Sequence, residues 1–502
     1  MTTNSAATLG ARRRWAALAV LVGSVLLLAI DGTVLYLAVP SLSRDLAPTA
    51  TEILWIGDVY SLALAGLLVT TGTLADRVGR KKVLLVGTAA FGAASLVAAF
   101  STSPEMLIGA RLLLGVAGAT IMPSTLSLIR DLFPDPTERR RAIAIWSAGS
   151  GGGLALGPLV GGGLLEHFWW GSVFLVNVPI VVVFLIAGTL LLPESRDPSP
   201  GRFDPLSAAL SLAAITPLVY AVKHAVSAGL DVWTLGSAMV GLSAGALFVR
   251  RQRRAETPLI DVGLFGNRAF TGAVLANFIA IFALTGLLFF FSQYLQLVRG
   301  FSPLVAGLAE MPTTIAAIVV IGLVGVAAAR LGTGRAVAVG LAVASVGLLL
   351  IVPAEEAQNY LWLALALVPV GLGVGLAMTL TVDAVVSAVP PRRAGAASAI
   401  AETAYELGVA LGIAVLGSVV TLAYRSGLDV PETARPLVED SAAAALTSLD
   451  PASDLAAAVR EAFTSAMQTA SVIAAVVTAV AALVAWRTIP SGRNTATAAE
   501  GK

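Results

Sequence analysis

Apolar residues in this chain come in runs of about 18 to 25, the length a helix rising 1.5 Å per residue needs to cross roughly 30 Å of hydrocarbon. Short polar turns separate most of them. Fourteen runs can be marked, near 15–39, 53–75, 83–101, 105–129, 142–165, 172–192, 205–224, 232–249, 270–297, 303–329, 335–353, 360–387, 395–424 and 464–487. The two weakest are 205–224 and 232–249, which carry Pro217, Lys223 and several small polar residues; without them the count is twelve. The pattern predicts an all-α integral membrane protein.

Composition agrees, with 57% hydrophobic and 12% charged residues against about 25% charged in soluble proteins. A net charge of only +2 conceals a sharp segregation. With the N-terminus placed inside, 25 of the 32 Lys and Arg residues fall in inner segments and six in outer ones, while Arg111 lies within a span. That bias satisfies the positive-inside rule. It predicts two cytoplasmic termini in a multi-pass protein, expected in a bacterial-type cytoplasmic membrane. Arg12 to Arg14 look like the start of a secretory signal, but the run that follows is long, contains Asp31 and leads into another span. It is better read as the first helix.

Several chemistries are excluded. Cysteine is absent, and His167 and His224 are far apart, so no disulfide, thiolate ligand or metal-ligand set is expected. No nucleophile and base cluster stands out, so no catalytic residues are assigned and the chain is not read as an enzyme. A G-x-x-x-x-G-K-[ST] phosphate loop is missing, and an ATP-driven pump would need a partner chain.

Two stretches break the rhythm of short turns. Residues 193–204 and 250–268 bracket helices seven and eight, which reads as an insertion between two six-helix halves. The expected organisation is a six-helix bundle over 1–192, two inserted helices with linkers over 193–268, a second bundle over 269–487 and a tail over 488–502. Within the second bundle, 425–463 is a long outside segment with Ala-rich stretches and many acids. A helical hairpin is expected there, since long structureless loops are uncommon. An internal repeat supports the division. Gly72, Ala75, Arg77, Gly79 and Gly87 of GTLADRVGRKKVLLVG match Gly325, Ala328, Arg330, Gly332 and Gly340 of GVAAARLGTGRAVAVG without gaps, and LALGPLVGG at 154–162 echoes VALGIAVLG at 409–417. Such repeats mark secondary transporters, with the substrate site near the midplane.

Four features carry candidate chemistry. In the loop between helices two and three, Gly72 and Gly79 permit tight turns and close helix approach, and Asp76 with Arg77 and Arg80 can form a charge network between helix ends. Arg111, inside the fourth span, is either paired, facing water, or snorkelling toward the outer interface. Helix five carries Gly153, Gly157, Pro158, Gly161 and Gly162, a pattern expected to bend the helix at Pro158 and to let a neighbour approach its backbone. Finally, acids lie inside spans: Asp31, Asp58, and Glu402 with Glu406, the last two spaced i, i+4 on one face. A carboxyl group in low dielectric disfavours its own charge, so it takes up a proton or attracts a cation. Asp58, near Trp55 and Tyr60, could also sit in the outer interface, and Glu310, Glu166 and Asp383 suit helix ends.

The stretches DGTVLYLAVPSL, LWIGDVYSLALAGLLV, GTLADRVGRKK, RLLLGVAGATIMPSTLSLIR, GPLVGGGLLEHFWWGSVFLVNVPI and SAIAETAYELG resemble the fourteen-span drug:proton antiporters of the major facilitator superfamily, over nearly the whole chain. That resemblance implies the major facilitator fold, two six-helix bundles plus two extra helices, and export of dyes, quaternary ammonium compounds and other lipophilic cations. It implies a gating latch at Gly72, Asp76, Arg77, Gly79 and Arg80, an antiporter motif at Gly153, Gly157, Pro158, Gly161 and Gly162, and proton transfer at Arg111. Asp31 and Glu406 are expected to carry protons, and Asp58, Glu402 and Asp31, beside Tyr405 and Trp55, to attract the cation. The drive is the proton gradient, with no cofactor. Expected partners are lipophilic cations, protons and membrane lipid, with no nucleic acid, and the monomer is the expected working unit. Some relatives carry a further acid in helix ten, whereas this helix reads EMPTTIAAIVVIG, so divalent cations are expected to be handled less well. Export of one metabolite or antibiotic would use the same fold; broad dye transport would argue against it.

Overall fold

The computed structural model describes residues 10–196, 204–255, 258–390 and 394–491, and every extended regular element among them is helical. The first half of the chain forms α1 (Ala11–Leu46), α2 (Ala50–Val78), α3 (Arg80–Ala99), α4 (Pro104–Leu132), α5 (Pro136–His167), α6 (Ser172–Leu175), α7 (Asn177–Leu191), α8 (Pro205–Ala228) and α9 (Val232–Arg254). The second forms α10 (Arg268–Leu297), α11 (Pro303–Ala309), α12 (Met311–Leu331), α13 (Thr333–Glu356), α14 (Tyr360–Ser387), α15 (Ala394–Gly427), α16 (Arg435–Val438), α17 (Ala442–Ser448) and α18 (Asp454–Thr488). Among the described residues fourteen segments are long and apolar enough to span a bilayer, α6 with α7 making one and α11 with α12 another. The two weakest runs are among them, as α8 and α9.

Local chemistry sets the helix starts. Thr49 accepts from the Glu52 amide while the Glu52 carboxylate accepts from the Thr49 amide, a reciprocal cap that opens α2. Ser103 and Asp135 cap α4 and α5, each followed by a proline whose missing N–H costs nothing at that position. Large apolar side chains such as Leu235, Met239, Leu242 and Leu247 stand exposed on α9. In water they would be a liability; against hydrocarbon they are the ordinary outer face of a span.

The described residues fall into two compact units. One comprises the chain to Leu259 with Phe289–Leu308 and Tyr424–Phe463; the other comprises Ile260–Leu288, Ala309–Ala423 and the chain from Thr464. Within the first, α1 lies along α5, α2 along α4, and α8 pairs with α9 while also touching α2. Within the second, α14 packs on both α12 and α13. The long segment 425–463 holds two short helices, α16 and α17, between the end of α15 and the start of α18. Pro431 and Pro451 bracket them, and Ser441 caps α17 by accepting from the Ala444 amide. Tyr424 donates to the Val438 carbonyl at 2.6 Å and Arg425 pairs with Asp440 at 3.0 Å, tying the segment to the end of α15. Most of the expected tail, and parts of both linkers around α8 and α9, lie outside the described residues.

The internal repeat has a backbone counterpart. Gly79 and Gly332 occupy matching positions, each ends one helix and starts the next, and each has positive φ, 126° and 78°. Over each lies a segment that follows a proline. The Ser195 carbonyl accepts from the Arg80 amide at 2.9 Å; the Ser491 hydroxyl accepts from the Arg335 amide at 3.1 Å.

Candidate functional site

Two of the four membrane acids meet basic partners inside the first unit. Asp31, on α1, is fully buried, and the Arg111 Nη1 on α4 donates to its Oδ2 at 3.1 Å. Its other oxygen accepts from Asn177 Nδ2 at 2.7 Å, and that amide also lies 3.2 Å from the Ser95 hydroxyl. Arg111 Nε donates to the Ile56 carbonyl at 3.2 Å, and the guanidinium lies 4.6 Å from the centre of the Tyr60 ring. Arg111 is 1% exposed, so it is paired and does not snorkel. The arrangement satisfies a charge that would be costly alone in a span.

Asp58, on α2, is equally buried. Its carboxylate holds Lys223 of α8, with Nζ 2.6 Å from Oδ2 and 2.8 Å from Oδ1. The same ammonium sits 3.6 Å from the centre of the Trp55 ring, one turn away on α2. Lys223, carried by one of the two weakest apolar runs, has a side chain only 1% exposed. A lysine in an apolar run was the available signal, but the run does not show its partner.

The loop network at α2 and α3 is built around Arg80, which pairs with Asp76 at 2.9 Å and with Asp131 of α4 at 2.6 Å. Ser195 hydrogen-bonds the same Asp131 and lies 3.2 Å from Arg80. Lys81 donates through its amide to Glu194 at 3.2 Å and through its ammonium to the Thr189 carbonyl at 2.8 Å. Arg77, expected in the network, is exposed and makes no ion pair among the described residues. It points off the helix turn that aligns Asp76 with Arg80. Asp131, Glu194 and Ser195 escaped the sequence reading because the first ends a span and the others belong to a stretch read as linker. A Cβ on Gly79 would come within 2.7 Å of the Glu194 carboxylate, and one on Gly72 within 3.3 Å of Pro123.

Helix α5 turns a row of glycines to α1. Gly149, Gly153, Gly157 and Gly161 recur every fourth residue, and a Cβ on each would strike Val22, Ala29, Thr33 and Val34 in turn. Asp31 therefore sits in the stretch of α1 that α5 approaches most closely. Gly162 faces elsewhere, toward the backbone of Pro303 and Leu304, while the Pro158 carbonyl meets Gly307. Pro158 lies inside a continuous helix.

In the second unit, Glu402 and Glu406 share a face of α15 with half-buried Tyr405 between them. Glu406 is 8% exposed. Glu402 is half-buried and makes no ion pair or hydrogen bond with a described residue. Gly408 and Gly412 occupy a different face, against the Phe278 and Phe282 carbonyls of α10. The acids thus divide in kind: Asp31 and Asp58 are bound to internal cations, and Glu402 is not. Among the described residues no cluster of three potential metal ligands forms.

A family model described as the Major Facilitator Superfamily matches residues 21–413. The chain is 49% identical over 433 residues to the "Multidrug efflux pump LfrA" of Mycolicibacterium smegmatis, covering 86% of each. It is 36% identical to the "Methyl viologen resistance protein SmvA" of Salmonella typhimurium, covering 84% of this chain and 85% of that one. Among solved structures it resembles, with a TM-score of 0.68 at 17% identity and coverage of 96% and 98%, the inward-facing, occupied form of a bacterial homologue of the human lysosomal transporter Spinster.

Proposed function

The chain belongs to the Major Facilitator Superfamily, and on that footing we propose that it exports lipophilic cationic drugs, dyes and quaternary ammonium compounds by alternating access, in exchange for protons. The family and fold are those of a transporter rather than an enzyme. The observation that carries the cationic and proton-coupled part is the presence of acids within the spans, of which Glu402 pairs with no cation among the described residues. An anion so placed attracts a lipophilic cation and releases it when protonated. Relatives named as a multidrug efflux pump and a methyl viologen resistance protein support a broad substrate range.

In this reading the protein works as a monomer in a bacterial cytoplasmic membrane with both termini inside, two six-helix halves flank the inserted pair, and no cofactor takes part. Competition between proton and substrate couples the two fluxes. Asp31 and Glu406 carry protons, Arg111 releases or holds Asp31 as the cycle turns, and Glu402, with Tyr405 beside it, attracts the cation. Asp58 and Trp55 form a second cation box. The Arg80 network and the α1–α5 contact open and close with the two conformations. If one monovalent cation leaves for two or more protons, the membrane potential adds about 2.3 kcal/mol per net charge per 100 mV.

The test is fluorescence efflux from everted vesicles with a panel of mono- and divalent cations. Wild-type export is expected to need the proton gradient and to stop with a protonophore. Asp31→Asn and Glu406→Gln are expected to abolish proton-driven efflux; wild-type transport in both would sink the assignment.

A further inference from the structure

The cation box at Asp58 is already filled, by a residue of the protein itself. A carboxylate beside the face of an indole is the arrangement that recognises quaternary ammonium groups, through ion pairing and attraction to the ring quadrupole. Here Trp55 and Asp58 lie on the same stretch of α2, and the ammonium between them is that of Lys223, 2.6 Å from the carboxylate and 3.6 Å from the ring centre. Both charged side chains are almost wholly excluded from solvent. The neighbouring titratable groups are otherwise engaged: Arg111 holds Asp31, and His224, the residue after Lys223, lies 3.1 Å from Asp231.

Lys223 belongs to α8, one of the two helices read as an insertion, and α8 also presses on α2 where the Leu212 side chain covers Gly66. A lysine carries its charge as a compact ammonium on a flexible four-carbon stem. It can leave such a box and return without the helix moving far.

We propose that Lys223 is a tethered counter-cation of the Asp58–Trp55 box, so that a cationic substrate reaches Asp58 only by displacing it, and the inserted helix pair thereby regulates the site. The inference rests on the reading of the chain as an exporter of lipophilic cations and assigns α8 a part in choosing which cations bind.

The experiment is equilibrium dialysis of tetraphenylphosphonium against the purified full-length chain in nanodiscs, at fixed pH and salt. Lys223→Met is expected to bind the probe about tenfold tighter than wild type, since an unopposed carboxylate and ring become available. Lys223→Arg should bind like wild type, and Asp58→Asn/Lys223→Met should lose the gain. Binding by Lys223→Met that equals or falls below wild type overturns the proposal. If Lys223→Met does not fold, reductive methylation of Lys223 in the wild-type chain decides, read by mass spectrometry. Saturating probe should raise labelling severalfold, and unchanged labelling overturns the proposal. These comparisons do not involve proton-driven export. Failure of wild-type efflux with the Lys223→Met gain intact strikes only the exporter reading, and normal efflux without that gain strikes only the role of Lys223.

Discussion

Asp31 has every part of its charge answered, and that is what makes it sensitive. One oxygen is held by Arg111 and the other by Asn177. Removing one partner of a buried ion pair leaves the other uncompensated, at a cost of about 3 to 5 kcal/mol, whereas removing both is often close to neutral. Arg111→Met is therefore expected to destabilise the first unit by about 3 kcal/mol in unfolding from mixed micelles, and Asp31→Asn/Arg111→Met to recover more than half of that. A double variant no more stable than Arg111→Met would show that the pair is not the origin of the loss. Asn177→Leu should have a smaller effect of the same sign, because Asp31 keeps its guanidinium.

At the scale of elements, α5 separates glycines by what lies opposite them. A side chain at Gly153 meets Ala29 and the Leu26 carbonyl at 2.6 and 2.7 Å, both on the rigid face of α1, while one at Gly151 or Gly152 meets open space. Gly153→Val is expected to reduce vesicle efflux at least tenfold, as a crowded packing contact costs 1 to 3 kcal/mol; Gly151→Ala and Gly152→Ala should transport like wild type. Equal losses at all three positions would argue against close α1–α5 approach. The α8–α9 pair has a different fastening. Arg251 donates to both oxygens of Asp204, the cap of α8, at 3.0 and 3.1 Å, and holds that carboxyl down to about 2. The folded value lies below the unfolded one near 4, so the contribution is present above about pH 4 and lost as pH falls toward 2. Protection of the first-turn amides of α8 from hydrogen exchange should be level from about pH 8 to 5 and fall below about pH 4. Asp204→Asn should flatten that profile; a drop between pH 8 and 6 would contradict it. The glycine row was legible because its four-residue spacing is written in the sequence. The fastening was not, because Asp204 and Arg251 sat in stretches read as linkers.

For the whole molecule, fourteen spans were legible because hydrocarbon thickness imposes a length that any window of sequence reveals. The acids were legible too, since charge in such runs is rare. What no run reveals is which helices are neighbours. Asp31 was visible and its closeness to Arg111 was not; Asp58 and Lys223 were both visible and their pairing was not. Counter-charges come from packing, and here they divide the acids between the units. In the first, Asp31 and Asp58 each neutralise an internal cation, so an amide at either position strands Arg111 or Lys223 in an apolar setting. In the second, Glu402 neutralises none among the described residues, so an amide there removes a desolvation cost and strands none of them. Asp31→Asn and Asp58→Asn are thus expected to lower the melting temperature by several degrees as well as impair transport, the stability loss being of order 2 kcal/mol or more. Glu402→Gln is expected to impair efflux of monovalent cations while leaving the melting temperature unchanged or raised. The measurement is a thermal melt and an efflux rate on the same three variants. A fall in stability for Glu402→Gln equal to that of Asp58→Asn would mean that Glu402, too, holds a structural partner, and the division of labour between the two units would fail.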